Sequence, residues 1–450
     1  MGTKKVFYLS ILLFSIVIVG HTVIAQTTGV LGPPSVNAIP LPVGSGARAL
    51  GMGGAFIAVA DDATAASWNP GGLTQLERPE FSIVGSFLAT QQDYDPGSTQ
   101  VFVDEETVSR GDLNFASISY PFRILGKNLV ASLNYQQVYD FHTNMNYLQI
   151  YEYKPTNTYE EWDATFESKG GIGALTPALS LQVTPKLSVG VSVNIYTDEF
   201  FGDYAWKQTS KTNITGKKTD TGETYTGFEN RTDTYKNFQS VNATIGILWD
   251  VWEKDKKRLT LGAVYDTPFT ADLDRKSEFF AVRPNTKNPP NEDTQSLDID
   301  YPMSFGLGLS FRCNDALSFS LDTTWTDWSE YMLKNEFGDK WRPIGYAKAG
   351  RDIEDTYAVR YGTEYLLFQE KMIIPLRGGL FYEPRPSLDN PADFYGFSVG
   401  TGVTFQRFSI DSAYQFRWGN LPGEDMGQWL KGASFDQQEH LFLLSCIVYF

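Results

Sequence analysis

The last ten residues, Leu441 to Phe450, constrain the fold more than any other stretch of the chain. Counting back from Phe450, the alternate residues Val448, Cys446, Leu444 and Phe442 form one continuous apolar face. Outer-membrane β-barrels end in this way, on a strand with one apolar face and a terminal aromatic residue. On this reading Phe450 is the signal for the barrel-assembly machinery, and the chain crosses a membrane by strands rather than helices. Such a protein is built for passage or binding rather than for chemistry.

The opposite terminus fits export. Lys4 and Lys5 precede the apolar run Val6–Gly20, and Val23-Ile24-Ala25 before Gln26 forms a cleavage site. Residues 1–25 therefore read as a secretory signal peptide, with an apolar run too short to span a bilayer. No later stretch approaches the roughly 18 apolar residues a membrane helix needs. Aromatics make up 14% of the chain, with 24 Tyr and 10 Trp, which suits girdles at two membrane interfaces. A net charge of −16 argues against nucleic acid as a partner.

The middle of the chain keeps strict period two, the mark of a strand with one apolar and one polar face. Leu187, Val189, Val191, Val193 and Ile195 alternate with Ser188, Gly190, Ser192 and Asn194. Val241, Ala243, Ile245, Ile247 and Trp249 alternate with Asn242, Thr244 and Gly246, and Met303 to Phe311 repeats the pattern over Ser304, Gly306, Gly308 and Ser310. Six short links (124–128, 184–186, 252–258, 313–316, 369–371 and 406) alternate with seven long polar ones (91–111, 151–167, 198–235, 273–294, 331–354, 384–393 and 419–436). Short turns opposite long outer loops predict an all-β fold, a 14-stranded antiparallel up-and-down transmembrane β-barrel spanning 79–450. Pro121, Pro302 and Pro375 fall near strand ends, whereas Pro177 lies inside the fourth strand and predicts a bulge or a local bend.

Residues 26–78 lack this rhythm. The run Gly44-Ser45-Gly46-Ala47-Arg48-Ala49-Leu50-Gly51-Met52-Gly53-Gly54-Ala55-Phe56 is rich in small residues. It is no phosphate-binding loop, since no strand precedes it and the ionic residues of that fingerprint are missing. Small residues instead allow backbone to pack tightly as a plug in the barrel lumen. Asp61-Asp62-Ala63-Thr64-Ala65-Ala66-Ser67-Trp68 predicts a short helix with an acidic start, ended by Asn69-Pro70-Gly71-Gly72.

These segments, with Tyr265-Asp266-Thr267-Pro268, Thr324-Trp325-Thr326-Asp327-Trp328-Ser329, and Arg377-Gly378-Gly379 leading to Tyr382-Glu383-Pro384, resemble the FadL/TodX (OmpP1) family of outer-membrane transporters. The resemblance covers nearly the whole mature chain. It implies a 14-stranded barrel with an N-terminal hatch, in the outer membrane of a Gram-negative bacterium, taking up long-chain fatty acids or other hydrophobic compounds. It departs in two places. Gly71 stands where the family carries Ala after Asn-Pro, and the third strand, about 128–150, contains neither Gly nor Pro to produce the family's kink. The exit is then expected either at a polar distortion around His142-Thr143-Asn144 or elsewhere in the barrel.

The function expected is passive uptake of a hydrophobic small molecule, gated by the hatch. Met52, Phe56 and Trp68 are the large apolar residues of the plug and candidates for ligand contact, with Asn69, Pro70 and Gly71 at the gating turn. Diffusion down a gradient needs neither cofactor nor metal; Asp293, Asp298 and Asp300 lack calcium-site spacing. Trp325 and Trp328 read as interface-girdle residues. Cys313 and Cys446 form no disulfide framework, and the two mature histidines, His142 and His440, sit near no serine motif, so an enzyme is not expected. The alternative is a barrel scaffold or shuttle of a surface-secretion system that binds exported proteins. A plugged barrel of this size is expected to stand as a monomer.

Overall fold

The computed structural model describes residues 44–198, 204–284, 286–345, 347 and 350–450. The signal peptide and the first part of the plug lie outside the described residues. Fourteen antiparallel strands follow one another around a barrel: β1 Glu80–Asp95, β2 Glu106–Ile124, β3 Lys127–Asp140, β4 Thr158–Thr184, β5 Leu187–Asp198, β6 Thr224–Lys254, β7 Lys257–Asp266, β8 Ser304–Arg312, β9 Leu317–Thr326, β10 Thr356–Phe368, β11 Ile373–Tyr382, β12 Phe394–Thr404, β13 Phe408–Pro422 and β14 Ser434–Tyr449. The last strand returns to the first, from Glu80↔Tyr449 to Asp95↔Ser434, and closes the sheet. Strand number, order and all six tight turns match the expectation from sequence.

The two faces are inverted relative to a soluble protein. Val191, Val193, Ile195, Val241, Ile245, Ile247, Phe305, Leu307, Phe442 and Leu444 are exposed, while the alternate residues Ser192, Asn194, Asn242 and Thr244 are buried. Each large apolar side chain left in water forgoes about 1.5–3 kcal/mol of burial. A continuous belt of them is stable only against lipid. Phe450 follows the last strand, exposed, with its backbone N–H donating to Pro79 O at 3.0 Å.

Much of what sequence reading assigned to long outer loops is strand. Within or beside 151–167, 198–235 and 273–294, the strands Thr143–Tyr153, Trp206–Lys218, Phe269–Arg283 and Thr286–Tyr301 join the outer halves of β4 and β6 in one sheet. With its 31 residues β6 has a contour of about 100 Å, whereas about ten residues cross the bilayer. Outside the membrane no face meets lipid, so the apolar alternation that marks a spanning strand disappears. Pro177 makes no bulge. The β4–β5 ladder lacks the pairs of Thr176 and Pro177 but keeps register from Leu175↔Ile195 to Ala178↔Ser192. The proline faces outward, where its missing N–H leaves only a gap in the ladder.

The plug residues 44–78 lie against the inner wall. Helix α1 (Ala47–Gly51) meets β12 and β13, and α2 (Ala65–Trp68) leads to a 3-10 turn, Pro70–Gln75, against β4, β5 and β6. The expected helix at 61–68 is thus a single turn. Asp62 accepts from the Thr64 N–H at 2.8 Å and hydroxyl at 2.6 Å, which fixes the chain before it. Asn69, expected only to stop that helix, also caps the next turn, accepting from Gly71 N–H at 3.0 Å.

The polar alternates of the wall grip the plug backbone. Ser445 accepts from Ala47 N–H at 2.8 Å, Ser398 from Gly53 N–H at 2.8 Å, and Asp322 from Ile57 N–H at 2.7 Å. Ser320 donates to Ala55 O and Ser192 to Ala66 O, both at 2.8 Å. Asn69 Nδ2 donates to Ile57 O at 2.8 Å and to Ile247 O in β6 at 3.0 Å. The wall must come this close, and Gly246 permits it, since a Cβ there would collide with Asn69 Oδ1. An ionic chain ties the lower side: Arg48 binds Glu364 through two 3.0 Å bonds and Asp61 at 2.5 Å, and Arg377 joins Glu364 (2.8 Å) to Asp411 (2.5 Å).

Candidate functional site

Above the plug the barrel encloses a cavity of about 420 Å³. That size lies in the range of small-molecule sites, about 300–1,000 Å³. Its floor is plug: Gly44, Ser45, Leu50, Gly53, Gly54, Ser67 and Trp68. Trp68 is held by its indole N–H, which donates to Ser45 O at 2.8 Å, and by an edge contact with Phe56 (centroids 6.1 Å apart). Met52 and Phe56 do not line the cavity; they are fully buried beneath it, packed with Leu73 and Val130. Asn69, Pro70 and Gly71 also lie below it, in the turn pressed on β5 and β6.

One side of the cavity is aromatic. Tyr139, Tyr196, Phe269 and Trp328 line it. Tyr196 stacks on Phe269 at 4.6 Å, Phe269 on Tyr301 at 4.7 Å, and Tyr139 on Tyr301 at 5.4 Å. Trp328 therefore belongs to the cavity rather than the membrane girdle. Its indole N–H donates inward to Thr356 Oγ1 at 2.9 Å, because the chain turns off β9 at Asp327. Trp325, still on β9, keeps the outward place expected of it and donates to Asp355 at 2.8 Å.

The other side is ionic, with Arg360, Glu383, Arg385, Arg417 and Glu439. Glu383 and Arg385 sit in the loop after β11, and the three arginines come from separate parts of the chain. Burial alone would raise the Glu383 carboxyl, but Arg360, Arg417 and Arg385 outweigh it and hold it at about 2. Burial pulls the Arg385 guanidinium down to about 10 against Glu439, and nearby Arg417 adds to the fall. The motif Tyr382-Glu383-Pro384 places Glu383 here.

The wall beside the cavity is incomplete. The β2–β3 ladder runs from Ile124↔Lys127 only to Phe115↔Gln136. Beyond it, β2 pairs with β1 alone as far as Glu106, and Gln137–Asp140 pair with β4 alone. The ladder resumes farther out, where Val101–Val103 pairs with Tyr147–Gln149. Between these points the two strands are joined by side chains: Arg110 contacts Asp140 at 2.6 Å, and also Asp112 and His142. The window is level with Phe87, a lipid-facing residue of β1 that pairs with Gly111. Arg110, Asp112, Gln137, Tyr139 and Asp140 also line the cavity, so cavity and window are continuous. β3 breaks at Phe141-His142, where Asp140 Oδ1 takes the His142 N–H at 2.9 Å. A local carboxylate-to-backbone bond breaks the strand without Gly or Pro.

The fold, the inverted faces and the plugged lumen define an outer-membrane β-barrel channel. A family model described as outer membrane protein transport protein (OMPP1/FadL/TodX) matches residues 42–421, and the chain belongs to that family, whose members are channels for hydrophobic compounds rather than enzymes. The fold is shared with a Pseudomonas aeruginosa FadL homologue (TM-score 0.60, 16% identity, 92% of this chain and 100% of that one). It is shared also with the Pseudomonas putida toluene transporter TodX (TM-score 0.57, 14% identity, 92% and 100%) and the monoaromatic hydrocarbon channel CymD (TM-score 0.54, 15% identity, 91% and 98%). No curated protein matches the chain.

Proposed function

We propose that this barrel takes up long-chain fatty acids or similar hydrophobic molecules passively, seats them above the plug and releases them sideways through the β2–β3 window. The observation that carries this reading is the continuity of the cavity with the window, both lined by Arg110, Asp112, Gln137, Tyr139 and Asp140. An apolar molecule leaving by that route enters the bilayer without crossing water. Trp68 touches the ligand, Met52 and Phe56 seat the plug beneath it, and Asn69-Pro70-Gly71 is the turn on which the plug shifts. The chain acts as a monomer, and Phe450 serves in barrel assembly. The transport proteins of matching fold favour this reading over a secretion scaffold.

The test is uptake of labelled oleate and toluene by cells lacking their own hydrophobic-compound transporter. They would express the intact barrel, one lacking residues 27–75, or one with the window bridged through Arg110→Cys and Asp140→Cys in a Cys313→Ser/Cys446→Ser background. Uptake that needs the barrel and stops when the window is bridged is the expected result. Uptake unaffected by the bridge overturns the lateral route, and no uptake from a folded barrel overturns transport.

A further inference from the structure

The tight turns carry the opposite charge from the rest of the chain. With one residue added on either side, the six turns hold ten Lys and Arg against four Asp and Glu, whereas the whole chain holds 37 against 53. Four lysines gather on one side of the barrel: Lys127 opens β3, Lys186 lies in the β4–β5 turn, and Lys254 and Lys257 bound the β6–β7 turn. The turns are neighbours. Lys127 Nζ donates to Val183 O at the end of β4 at 2.6 Å, and the Asp250 N–H of β6 donates to Lys186 O at 2.8 Å. Nearby carboxylates are engaged elsewhere: Asp315 with Lys256, Asp250 with Arg258 at 3.7 Å, and Glu253 on the inward face opposite Arg258, which leaves Asp255 at the turn tip. Among the described residues none of the four lysines makes an ion pair. Lys254 and Lys257 also oppose each other directly across the ladder, an arrangement that like charges disfavour.

The row stands at the edge of the lipid-facing belt. Strand alternation puts Lys127 on the face of the exposed Leu133, Lys257 on that of Leu261, and Lys254 on that of Trp252. Each lysine is one or two residues beyond an outward side chain of the belt: Leu129, Leu187, Trp252 and Leu259. That is about 3–7 Å of strand. Trp249, Trp252 and Ile124 are exposed at the same level, and tryptophan there marks the membrane interface. The β2–β3 turn adds a second sign. Leu125, at its tip, is 97% exposed with φ +52°, beside Gly126 at +75°. A turn in water places Asn, Asp or Gly at such a position. An apolar tip next to Lys127 suits the boundary between headgroups and acyl chains.

We infer that Lys127, Lys186, Lys254 and Lys257 bind the phosphates of anionic glycerophospholipids, and so hold an anionic lipid annulus against the β3–β7 side of the barrel. The short turns share their side with both ends of the strand series, which assigns the row to the periplasmic leaflet. Four ammonium groups on flexible stems reach the phosphate layer while the belt beside them stays in hydrocarbon. A phosphate between Lys254 and Lys257 relieves their repulsion. A zwitterionic headgroup brings its own ammonium and relieves less of it. The row lies on the outer surface of the barrel, so its occupancy is independent of what the lumen carries.

The test is native mass spectrometry of the full-length barrel in detergent, titrated with phosphatidylglycerol, phosphatidylethanolamine or lipopolysaccharide, the first two with identical acyl chains. Phosphatidylglycerol is expected to be retained about tenfold more than phosphatidylethanolamine, the scale of one or two lysines beside a phosphate. That preference should shrink as salt rises above about 0.1 M. The triple variant Lys186→Gln/Lys254→Gln/Lys257→Gln should lose most of it, and the same three positions changed to Arg should keep it. Lys371→Gln/Arg407→Gln, on turns across the barrel, should leave it unchanged and so separates a local row from net charge. Equal retention of the two phospholipids by the native barrel overturns the inference, as does an equal loss in the Lys371/Arg407 variant. Preference for lipopolysaccharide over phosphatidylglycerol that needs the same lysines overturns the assignment to the periplasmic leaflet.

Discussion

Asn69 joins the plug to the barrel wall, and replacing it should loosen the plug without unfolding the barrel. The residue is wholly buried, and its side chain makes three hydrogen bonds: to Ile57 O at 2.8 Å, to Ile247 O at 3.0 Å, and from Gly71 N–H at 3.0 Å. Asn69→Ala deletes all three. At about 1 kcal/mol for the cap and about 0.5–1.5 for each further bond, the plug should lose about 2–4 kcal/mol against the wall. That corresponds to about 30- to 900-fold more frequent opening. Asn69→Asp should be worse near neutral pH, because it keeps the cap acceptor but turns an anion toward two carbonyl oxygens; lowering the pH should recover part of the loss, since the protonated acid can donate once. The assay is hydrogen exchange of the backbone amides of 44–78 in the detergent-solubilised barrel, with the amides of β9–β14 as internal reference. Exchange in Asn69→Ala within about threefold of the native plug would refute the reasoning. So would an equal rise in the reference strands, which would mean that Asn69 supports the barrel rather than the plug.

Three further outcomes are expected. Gly71→Ala should press the turn slightly off the wall, because the new Cβ would meet Gly246 O at 3.0 Å and Asn69 Oδ1 at 3.1 Å although φ is ordinary; Gly246→Ala, whose Cβ would collide with Asn69 Oδ1, should displace the plug further and raise bilayer conductance. Arg110→Ala removes the contacts to Asp140 and His142 that span the window, so release of a preloaded ligand into vesicles should quicken several-fold while cavity affinity changes little. Asp425, in the short helix Gly423–Met426 of the β13–β14 loop, accepts from Leu388 N–H at 3.0 Å, and burial raises its carboxyl from 3.8 to about 6. Because the folded value is the higher one, loop docking is tightest below about pH 4 and weakens as pH rises through about 6, by about 3 kcal/mol in all. Proteolysis of residues 423–432 should follow that curve in the native barrel and lose it in Asp425→Asn.

The barrel was legible because lipid imposes a rule on every second residue. Val191, Val193 and Ile195 face outward for the same reason that Val241, Ile245 and Ile247 do, and the tight turns interrupt that rule at regular places. Outside the bilayer the rule lapses. Trp206–Lys218 reads as Trp-Lys-Gln-Thr-Ser-Lys-Thr-Asn, polar on both faces, and only its pairing with β4 and β6 reveals a strand. The plug was legible as a class, from its small residues, but its contacts were not. The wall glycines that admit it, Gly190 and Gly246, look in sequence like ordinary polar-face positions. Arg360, Arg385 and Arg417 escaped notice because they are scattered over nearly sixty positions and meet only through β10, β13 and the loop after β11. The window was half visible: the absence of Gly and Pro in β3 pointed to a polar break near His142, but only the ladder shows how far β2 and β3 separate.

The manner in which the plug is held bears on how it can move. Its large side chains, Met52 and Phe56, pack mainly within the plug, whereas the wall holds it through Ser192, Ser320, Ser398 and Ser445 bound to its main chain. Such bonds are directional, so they fix the plug in one position, yet each is worth only about 1 kcal/mol net because water can replace it. Apolar anchoring of equal strength would have no such exchange partner and would release all at once. The ionic chain Arg48–Glu364–Arg377–Asp411 is different, since Glu364, Arg377 and Asp411 are buried and drawing Arg48 away leaves that buried group one cation short. The plug is therefore firm at α1 and exchangeable at Ala55–Gly71, and a ligand pressing on Trp68 acts on the part that can yield.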